Sequence, residues 1–236
     1  RLSELDAVQV LAPIASALDR AHRGGVIHRD LKPENIFMAR DSDGRERPVL
    51  LDFGVARLRG EADAIQSEQG GGPVTMLGTP AYMAPEQISG ATGVDARTDI
   101  YGMGVVLYEL LTGVSPFQRE DAQGTIHAIL TEGVRSPSRI VPAISPAMEA
   151  VILCAMARDP QHRFESMEAL QHALQDVMLE PQGSAFVLRY PLARAVIQAR
   201  ALEPAGAGDL LGGHVRGRAE HGDRAAALIG LDRVGL

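Results

Sequence analysis

The sequence predicts an α+β fold that is mainly α-helical and contains one short β-hairpin. Apolar residues recur at helical spacing in the opening segment and again from residue 97 onward, which indicates the helices. Two short apolar runs, residues 36–38 and 49–51, flank a polar segment and indicate the hairpin. The length of 236 residues allows one medium-sized domain with a tail, or two small domains.

The opening segment is predicted to be one helix. Ser3 followed by Asp6 is typical of a helix start, and Gly24-Gly25 is typical of a helix end. Pro13 lies inside the pattern and removes a backbone hydrogen bond, so we expect a kink there. The residues expected on the buried face are Leu5, Val8, Leu11, Ala15, Leu18 and His22.

The polar segment of the hairpin has two interpretations. Asp41 and Asp43 resemble the start of a calcium-binding loop, but the later ligands and the final glutamate of such a loop are missing. The segment 41–44 also has the composition of a tight turn. The turn is therefore the favoured interpretation.

The second half of the chain predicts several helices around a buried central one. The central helix is apolar almost all round, with Ile100, Met103, Val105, Val106, Leu107, Leu110 and Leu111. Further helices are expected near residues 121–132, 146–157 and 166–179, and Cys154 is expected to be a buried thiol. Residues 59–78 are polar and glycine-rich, which predicts a mobile loop.

Composition excludes several classes of protein. The formal net charge of −7 argues against a dedicated nucleic-acid binder and against a protein of anionic membrane surfaces. A single cysteine argues against a disulfide framework and favours a reducing, cytoplasmic location. We find no signal peptide and no membrane-spanning apolar run. The first residue is Arg1, so the chain is a candidate piece of a longer protein.

Three motifs occur in order: His28-Arg29-Asp30-Leu31-Lys32-Pro33-Glu34-Asn35, Asp52-Phe53-Gly54 and Ala84-Pro85-Glu86. Together they resemble the eukaryotic-like (Hanks-type) protein Ser/Thr kinases. The resemblance implies that residues 1–179 form the C-terminal lobe of a protein kinase fold. Residues 180–236 lie beyond it and are expected to be a disordered or weakly helical tail. An out-of-frame read-through from a GC-rich gene would have a similar composition.

The resemblance implies ATP and Mg²⁺ as cofactors and assigns roles to five residues. Phosphoryl transfer passes through a loose, charge-rich transition state, so the protein mainly positions groups and neutralises charge. Asp30 is expected to orient the attacking hydroxyl and take its proton late, and Lys32 to neutralise the γ-phosphate. Asn35 and Asp52 are expected to hold magnesium. Phe37 is expected to form the floor of the adenine pocket; ordinary core packing is the alternative, and the two roles are compatible.

The resemblance also implies framework roles. His28 and Phe53 resemble the lower half of the hydrophobic spine that sets the active state, and Gly54 completes the Asp52 motif. Glu86 is expected to form a buried ion pair with Arg163. Asp99, at the start of the central helix, is expected to hold the catalytic loop through its backbone N–H groups. The helix start Asp99-Ile100-Tyr101-Gly102 resembles bacterial members of the family.

The segment before Glu86 resembles the substrate loop of Ser/Thr kinases. By this resemblance Thr79 would hydrogen-bond to Asp30 and Lys32, which implies protein substrates phosphorylated on Ser or Thr.

Regulation is expected to involve Arg29, which precedes the catalytic aspartate. An arginine there usually needs an anion, so a phosphothreonine would order the loop. Thr75 is the favoured phosphorylation site, Ser67 is an alternative, and the absence of any modification is a third possibility.

The family also uses a Gly-rich loop, a strand lysine and a helix glutamate to bind ATP. Only 27 residues precede His28, and Lys32 is the single lysine against 22 arginines. We therefore expect the N-terminal lobe to be absent from this chain and the chain alone to have little or no activity. The exposed inter-lobe surface is expected to aggregate or bind a partner. The alternatives are a pseudokinase-like interaction module and a regulatory decoy for another kinase.

Overall fold

The structure is a computed structural model that describes residues 1–52, 80–90 and 94–179. Within these ranges the six α-helices are α1 (Glu4–Arg23), α2 (Pro85–Ile88), α3 (Ala96–Thr112), α4 (Ala122–Thr131), α5 (Pro146–Ala155) and α6 (Met167–Leu179). Strands β1 (Ile36–Arg40) and β2 (Glu46–Leu50) form one antiparallel hairpin. This part of the chain is therefore mainly helical with one hairpin, which confirms those two sequence predictions.

Helix α1 begins and ends where the sequence predicts. The Ser3 Oγ accepts a hydrogen bond from the Asp6 backbone N–H at 3.2 Å, and Gly24 caps the other end. The helix runs through Pro13, which lies on the exposed face. The predicted buried face is wrong at Leu5, which is 55% exposed because it lies on the same side of the helix as the exposed Gln9 and Pro13.

The hairpin pairs Ile36 with Leu50 and Arg40 with Glu46. In its turn the Asp41 Oδ1 accepts hydrogen bonds from the backbone N–H groups of Asp43 and Arg45, both at 3.0 Å. The Asp41 carboxylate therefore organises the turn, as aspartate commonly does. This favours the turn interpretation over a calcium loop.

Helix α3 is the centre of the core, and every residue from Thr98 to Thr112 is buried. It begins at the capping residue Asp95 and ends at Gly113, whose φ of 76° is left-handed. Gly104 allows close packing against α5, because a Cβ at this position would lie 2.8 Å from Met156 Cγ and 2.9 Å from Ala155 Cβ. The prediction of a buried central helix is confirmed.

The later helices lie near their predicted positions; α1, α5 and α6 pack on α3, whereas α4 packs on α2 and the segment just before it. Polar contacts fix α1 to this group: Asp19 Oδ1 accepts from the Glu168 N–H, and Glu4 accepts from the Ser145 N–H at 2.6 Å. Cys154 is buried in α5, and burial raises the pKa of its thiol to about 12. The prediction of a buried thiol is confirmed, and a thiol in this environment is expected to be unreactive.

No helix in the described ranges has both the length and the apolar character needed to cross a membrane. The predicted loop at residues 59–78 and the predicted tail at 180–236 lie outside the described residues. The division at residue 179 therefore stays a prediction.

Candidate active site

The loop between α1 and β1 carries the first motif, and Asp99 holds its backbone. Asp99 Oδ2 accepts a hydrogen bond from the His28 N–H at 2.8 Å, and Oδ1 accepts from the Arg29 N–H at 2.7 Å. Asp99 is 1% exposed and lies in the first turn of α3, where the helix dipole favours a negative charge. The base of the loop is thus fixed to the most buried helix.

His28 connects this loop to the end of the hairpin. The side chain is fully buried, its Nε2 lies 3.1 Å from the Leu51 carbonyl oxygen, and its Nδ1 lies 3.3 Å from the Asp30 backbone N. A carbonyl oxygen can only accept, whereas a backbone N–H can only donate. The contacts therefore assign the proton to Nε2 and leave Nδ1 as the acceptor.

Asp30, Lys32 and Asn35 converge at the open side of the loop. The Lys32 Nζ donates to Asp30 Oδ2 at 2.8 Å, and the Asn35 Nδ2 donates to the Asp30 carbonyl oxygen at 2.8 Å and to Asp30 Oδ2 at 3.3 Å. The Asp30 and Lys32 side chains are 31% and 24% exposed. The carboxylate is therefore oriented by neighbouring donors and remains accessible to solvent.

Two of the predicted site residues have a left-handed backbone. Arg29 has φ of 65° and Asp52 has φ of 52°, and they are the two non-glycine residues with positive φ in the described part of the chain. Such a conformation costs about 1–3 kcal/mol and persists only when surrounding contacts impose it. At Arg29 those contacts include Asp99 on the N–H and the Gln87 Nε2 on the carbonyl oxygen at 2.9 Å.

The hairpin brings Asn35 and Asp52 to the same end of the site. Ile36 pairs with Leu50, and the Leu51 N–H continues the ladder by donating to the Asn35 carbonyl oxygen at 2.8 Å. Asp52 therefore follows directly at the strand end nearest Asn35. The Asn35 amide uses its nitrogen on Asp30, so its oxygen is the atom suited to a cation. An amide oxygen and a carboxylate fit the preference of Mg²⁺ for hard oxygen ligands.

Phe37 in β1 and Leu51, just after β2, are large apolar residues that remain exposed, at 54% and 42%. The interpretation of Phe37 as an ordinary core residue does not hold in this chain, because its neighbours in β1 and β2 leave it uncovered. The adenine-pocket role stays a prediction.

Glu86 and Arg163 are brought together below the site. The Arg163 Nη1 lies 2.6 Å from Glu86 Oε1 and Nη2 lies 2.8 Å from Oε2, and the arginine side chain has no exposed surface. The carbonyl oxygens of Ala157, Arg97 and Arg158 accept its remaining hydrogen bonds. Burial alone would raise the pKa of Glu86, but the hydrogen bonds and charge of Arg163 outweigh burial and lower it.

Sequence reasoning missed three contacts around the site. The His22 Nε2 lies 2.7 Å from Asp99 Oδ2, although the helical pattern indicated only an apolar-face position. The amide of Gln87 connects α2 to the catalytic loop. The N-cap of α2 is Ala84, which cannot form the Ser/Thr half of a capping box, so the sequence offered no local signal for Gln87.

The third missed contact joins the segment before α2 to α3. The Tyr82 hydroxyl donates to Glu109 Oε2 at 2.6 Å. Burial raises the pKa of Glu109, and the charge of Glu34 adds to that rise against the lowering effect of the Tyr82 hydrogen bond. Burial also raises the pKa of Tyr82. Among the other predicted residues, Phe53, Gly54, Ser67, Thr75 and Thr79 lie outside the described residues.

The helical fold and the arrangement of Asp30, Lys32 and Asn35 are those of a protein kinase domain, and comparison with known families identifies the same class. The model of the protein kinase domain family matches residues 1–174, so the chain belongs to that family. It is 41% identical over 196 residues to the Ser/Thr-protein kinase Pkn1 of Myxococcus xanthus, and 42% identical over 171 residues to PknJ of Mycobacterium tuberculosis. These relatives confirm the resemblance to bacterial Ser/Thr kinases.

The matches cover different shares of the two chains. They include 79% and 71% of this chain but span 27% of the length of Pkn1 and 28% of that of PknJ. A crystal structure of the PknI kinase domain from Mycobacterium tuberculosis superimposes with a TM-score of 0.54 at 25% identity. That match covers 74% of this chain and 55% of the PknI chain.

Proposed function

We propose that the protein containing this chain transfers the γ-phosphoryl group of ATP to Ser or Thr hydroxyls of proteins. The observation that carries this proposal is the accessible Asp30 carboxylate, which Lys32 and Asn35 hold on a loop anchored by the buried Asp99. Family membership and the names of the relatives support the same activity.

In this mechanism the chain positions the nucleophile. Asp30 accepts the hydrogen bond of the substrate hydroxyl and receives its proton as the phosphorus–oxygen bond forms. Lys32 lies against Asp30 in the described state and neutralises negative charge on the transferring group. Proximity and electrostatic stabilisation account for most catalysis in this reaction class.

Asn35 and Asp52 would hold the magnesium ion, which would supply positive charge to the phosphates when bound. The residues fit this ion, because Asn35 precedes β1 and Asp52 comes shortly after β2, so both lie at the same end of the hairpin. Their amide and carboxylate oxygens are the hard ligands that magnesium prefers. Asp52 has a left-handed backbone, a conformation that is often found where function requires a particular side-chain orientation. This supports its proposed role. Phe37 would contact the adenine from below.

The substrate and regulatory assignments belong to the same proposal. Thr79 would bind Asp30 and Lys32 and so favour hydroxyls of Ser and Thr. Thr75 is the proposed activating phosphorylation site, with Ser67 as the alternative, and the phosphate would pair with Arg29. If Thr75→Ala leaves the rate of an active form unchanged, the Thr75 assignment is wrong.

We further propose that residues 1–179 are the C-terminal lobe and that the 236 residues alone are inactive or nearly so. The chain has a single lysine, which lies in the catalytic loop, so no residue can act as the strand lysine of the family. The exposed Phe37 and Leu51 support a surface that normally meets the nucleotide-binding lobe. A cytoplasmic location is proposed from the single reduced cysteine.

An interaction module is the second candidate function. Its support is the same exposed apolar surface, which could bind the nucleotide-binding lobe of another kinase. Binding would not require the Asp30, Lys32 and Asn35 arrangement, so we favour the enzyme.

The test measures phosphate transfer from radiolabelled ATP to a mixed protein substrate, with two proteins. One is the 236-residue chain, and the other, the completed kinase, is the same chain fused behind the nucleotide-binding lobe of a bacterial Ser/Thr kinase. We expect transfer to Ser or Thr by the completed kinase alone. Transfer by the unfused chain would refute its inactivity, and an inactive fusion that is folded and binds ATP would refute the enzymatic proposal.

A further inference from the structure

The side-chain amide of Gln87, a residue of α2, contacts both the start of its own helix and the catalytic loop. Its Oε1 accepts a hydrogen bond from the Ala84 N–H at 2.9 Å, and its Nε2 donates to the Arg29 carbonyl oxygen at 2.9 Å. The first contact lies within the start of α2, whereas the second spans 58 residues of sequence. Gln87 is half-buried, so both bonds are partly protected from water.

The Arg29 carbonyl belongs to the peptide group that leads directly to Asp30. The N–H of the same peptide faces His28 Nδ1 at 3.3 Å, which is a long contact. Because a peptide group is planar, a donor on its carbonyl oxygen also fixes the direction of its N–H and of the following Cα. The Gln87 contact, at 2.9 Å, is the shorter of these two restraints on this peptide.

The peptide groups before it are held by another residue. Asp99 binds the N–H groups of His28 and Arg29, and thus the two peptides that precede the one bound by Gln87. Arg29 lies between them with its left-handed φ of 65°. Without a donor on its carbonyl, this residue has a route to relax towards a commoner conformation.

We propose that Gln87 is a positioning residue that couples the seating of α2 to the orientation of the Asp30 carboxylate. Helix α2 is itself fixed by the neighbouring Glu86 to Arg163 and to Thr98 Oγ1. A shift of the segment before α2 would therefore be transmitted through one amide to the catalytic aspartate. The proposal rests on the proposed function for its effect on turnover.

The decisive comparison uses Gln87→Glu and Gln87→Leu, with Ser89→Ala as the control. The glutamate keeps an acceptor for the Ala84 N–H but places a carboxylate oxygen against the Arg29 carbonyl. A residue that only caps α2 would tolerate glutamate, since the capping contact survives. Ser89→Ala removes a hydrogen bond to the Pro85 carbonyl on the same helix and does not touch the loop.

The first readout is hydrogen exchange in the 236-residue chain, which needs no activity. We expect both Gln87 variants to speed exchange of the Asp30 amide by about tenfold, the size of one lost hydrogen bond, at neutral pH. Ser89→Ala should leave it unchanged. Lowering the pH to protonate the new carboxyl restores a donor, so the excess exchange of Gln87→Glu over the parent should shrink. Unchanged exchange at Asp30 in Gln87→Glu would overturn the proposal.

The second readout is turnover in the completed kinase. We expect both Gln87 variants to lower kcat by about tenfold while the KM for ATP stays within twofold, as for loss of one positioning hydrogen bond. A kcat within twofold of the parent would overturn the coupling to Asp30 even if exchange increases. A completed parent kinase with no activity would refute the proposed function instead, and the exchange measurement would still decide whether Gln87 orders the peptide.

Discussion

The Asp99 carboxylate lies 2.7 Å from the backbone nitrogen of Arg29, a residue whose φ of 65° is left-handed. A buried acid on the central helix thus binds a strained position in the catalytic loop. The same carboxylate binds the His28 N–H and the His22 ring. The geometry around Asp30 therefore depends on the core of the fold as well as on the loop itself.

Replacing Asp99 with asparagine should destabilise the chain. The amide has one acceptor oxygen, so a buried backbone N–H would face an NH₂ group, at a cost of about 1–3 kcal/mol. Urea unfolding followed by circular dichroism measures this change. The matched control is Asp95→Asn, four residues earlier, because Asp95 is an exposed N-cap and asparagine caps equally well. An equal decrease in the free energy of unfolding in the two variants would contradict the role of Asp99.

The Glu86–Arg163 pair should make the fold sensitive to acid. Because the folded state lowers the pKa of Glu86 from its usual 4.5, its carboxylate stabilises the fold at higher pH. That contribution is lost as the pH falls below 4.5 and through the folded-state pKa. Glu86→Gln should reduce the acid-dependent part of unfolding free energy measured by urea titration from pH 7 to pH 3.

The same variant should also be less stable at neutral pH, by about 3–5 kcal/mol, since it leaves the buried Arg163 without its counter-charge. Glu132→Gln is the control, because its partner Arg119 is 40% exposed and exposed pairs contribute about 0–1 kcal/mol. If the free energy of unfolding falls by the same small amount in both variants, the buried pair is not a major stabilising contact.

Two glycines of α3 should respond differently to alanine. At Gly102 a Cβ would lie 3.0 Å from the Leu31 Cβ, so Gly102→Ala should displace Leu31. Because Leu31 lies between Asp30 and Lys32, this variant should lower turnover of the completed kinase. At Gly104 the contacts are 2.8 and 2.9 Å and involve α5 and the residue after it, so Gly104→Ala should reduce thermal stability mainly. Full activity of a folded Gly102→Ala variant would argue against the close approach of Leu31.

The single cysteine should report global unfolding. Burial raises the pKa of the Cys154 thiol to about 12, and its Sγ donates to the His162 carbonyl oxygen at 3.6 Å. Few thiolates are present at pH 8, so alkylation of the native chain should be slow. The rate should rise by orders of magnitude in guanidinium chloride. Equally rapid alkylation in both conditions would place this thiol at the surface.

Sequence patterns predicted the regular elements well for a physical reason. The buried α3 and the hairpin are encoded by local periodicity and turn residues, which act over a few positions. Leu5 is the exception, because it lies on the exposed side of α1 with Gln9 and Pro13, and apolar character alone does not show which side of a helix a residue occupies.

The sequence predicted only some of the residues of the site. The motif identified Asp30, Lys32 and Asn35, which lie within five residues of each other and do meet in the structure. Gln87 and His22 depend on contacts across 58 and 77 positions, for which one sequence contains no local signal. The left-handed backbone of Arg29 was equally invisible, because arginine has no preference for that conformation.

The role of Asp30 can be tested by replacing it with asparagine in the completed kinase and measuring kcat and the KM for ATP. The change removes the proton acceptor but preserves side-chain size. We expect kcat to fall by about 10²–10⁴-fold while the KM for ATP stays within twofold, because Asp30 acts on the hydroxyl and not on the nucleotide. A kcat within twofold of the parent would contradict the assignment of Asp30 as the catalytic residue.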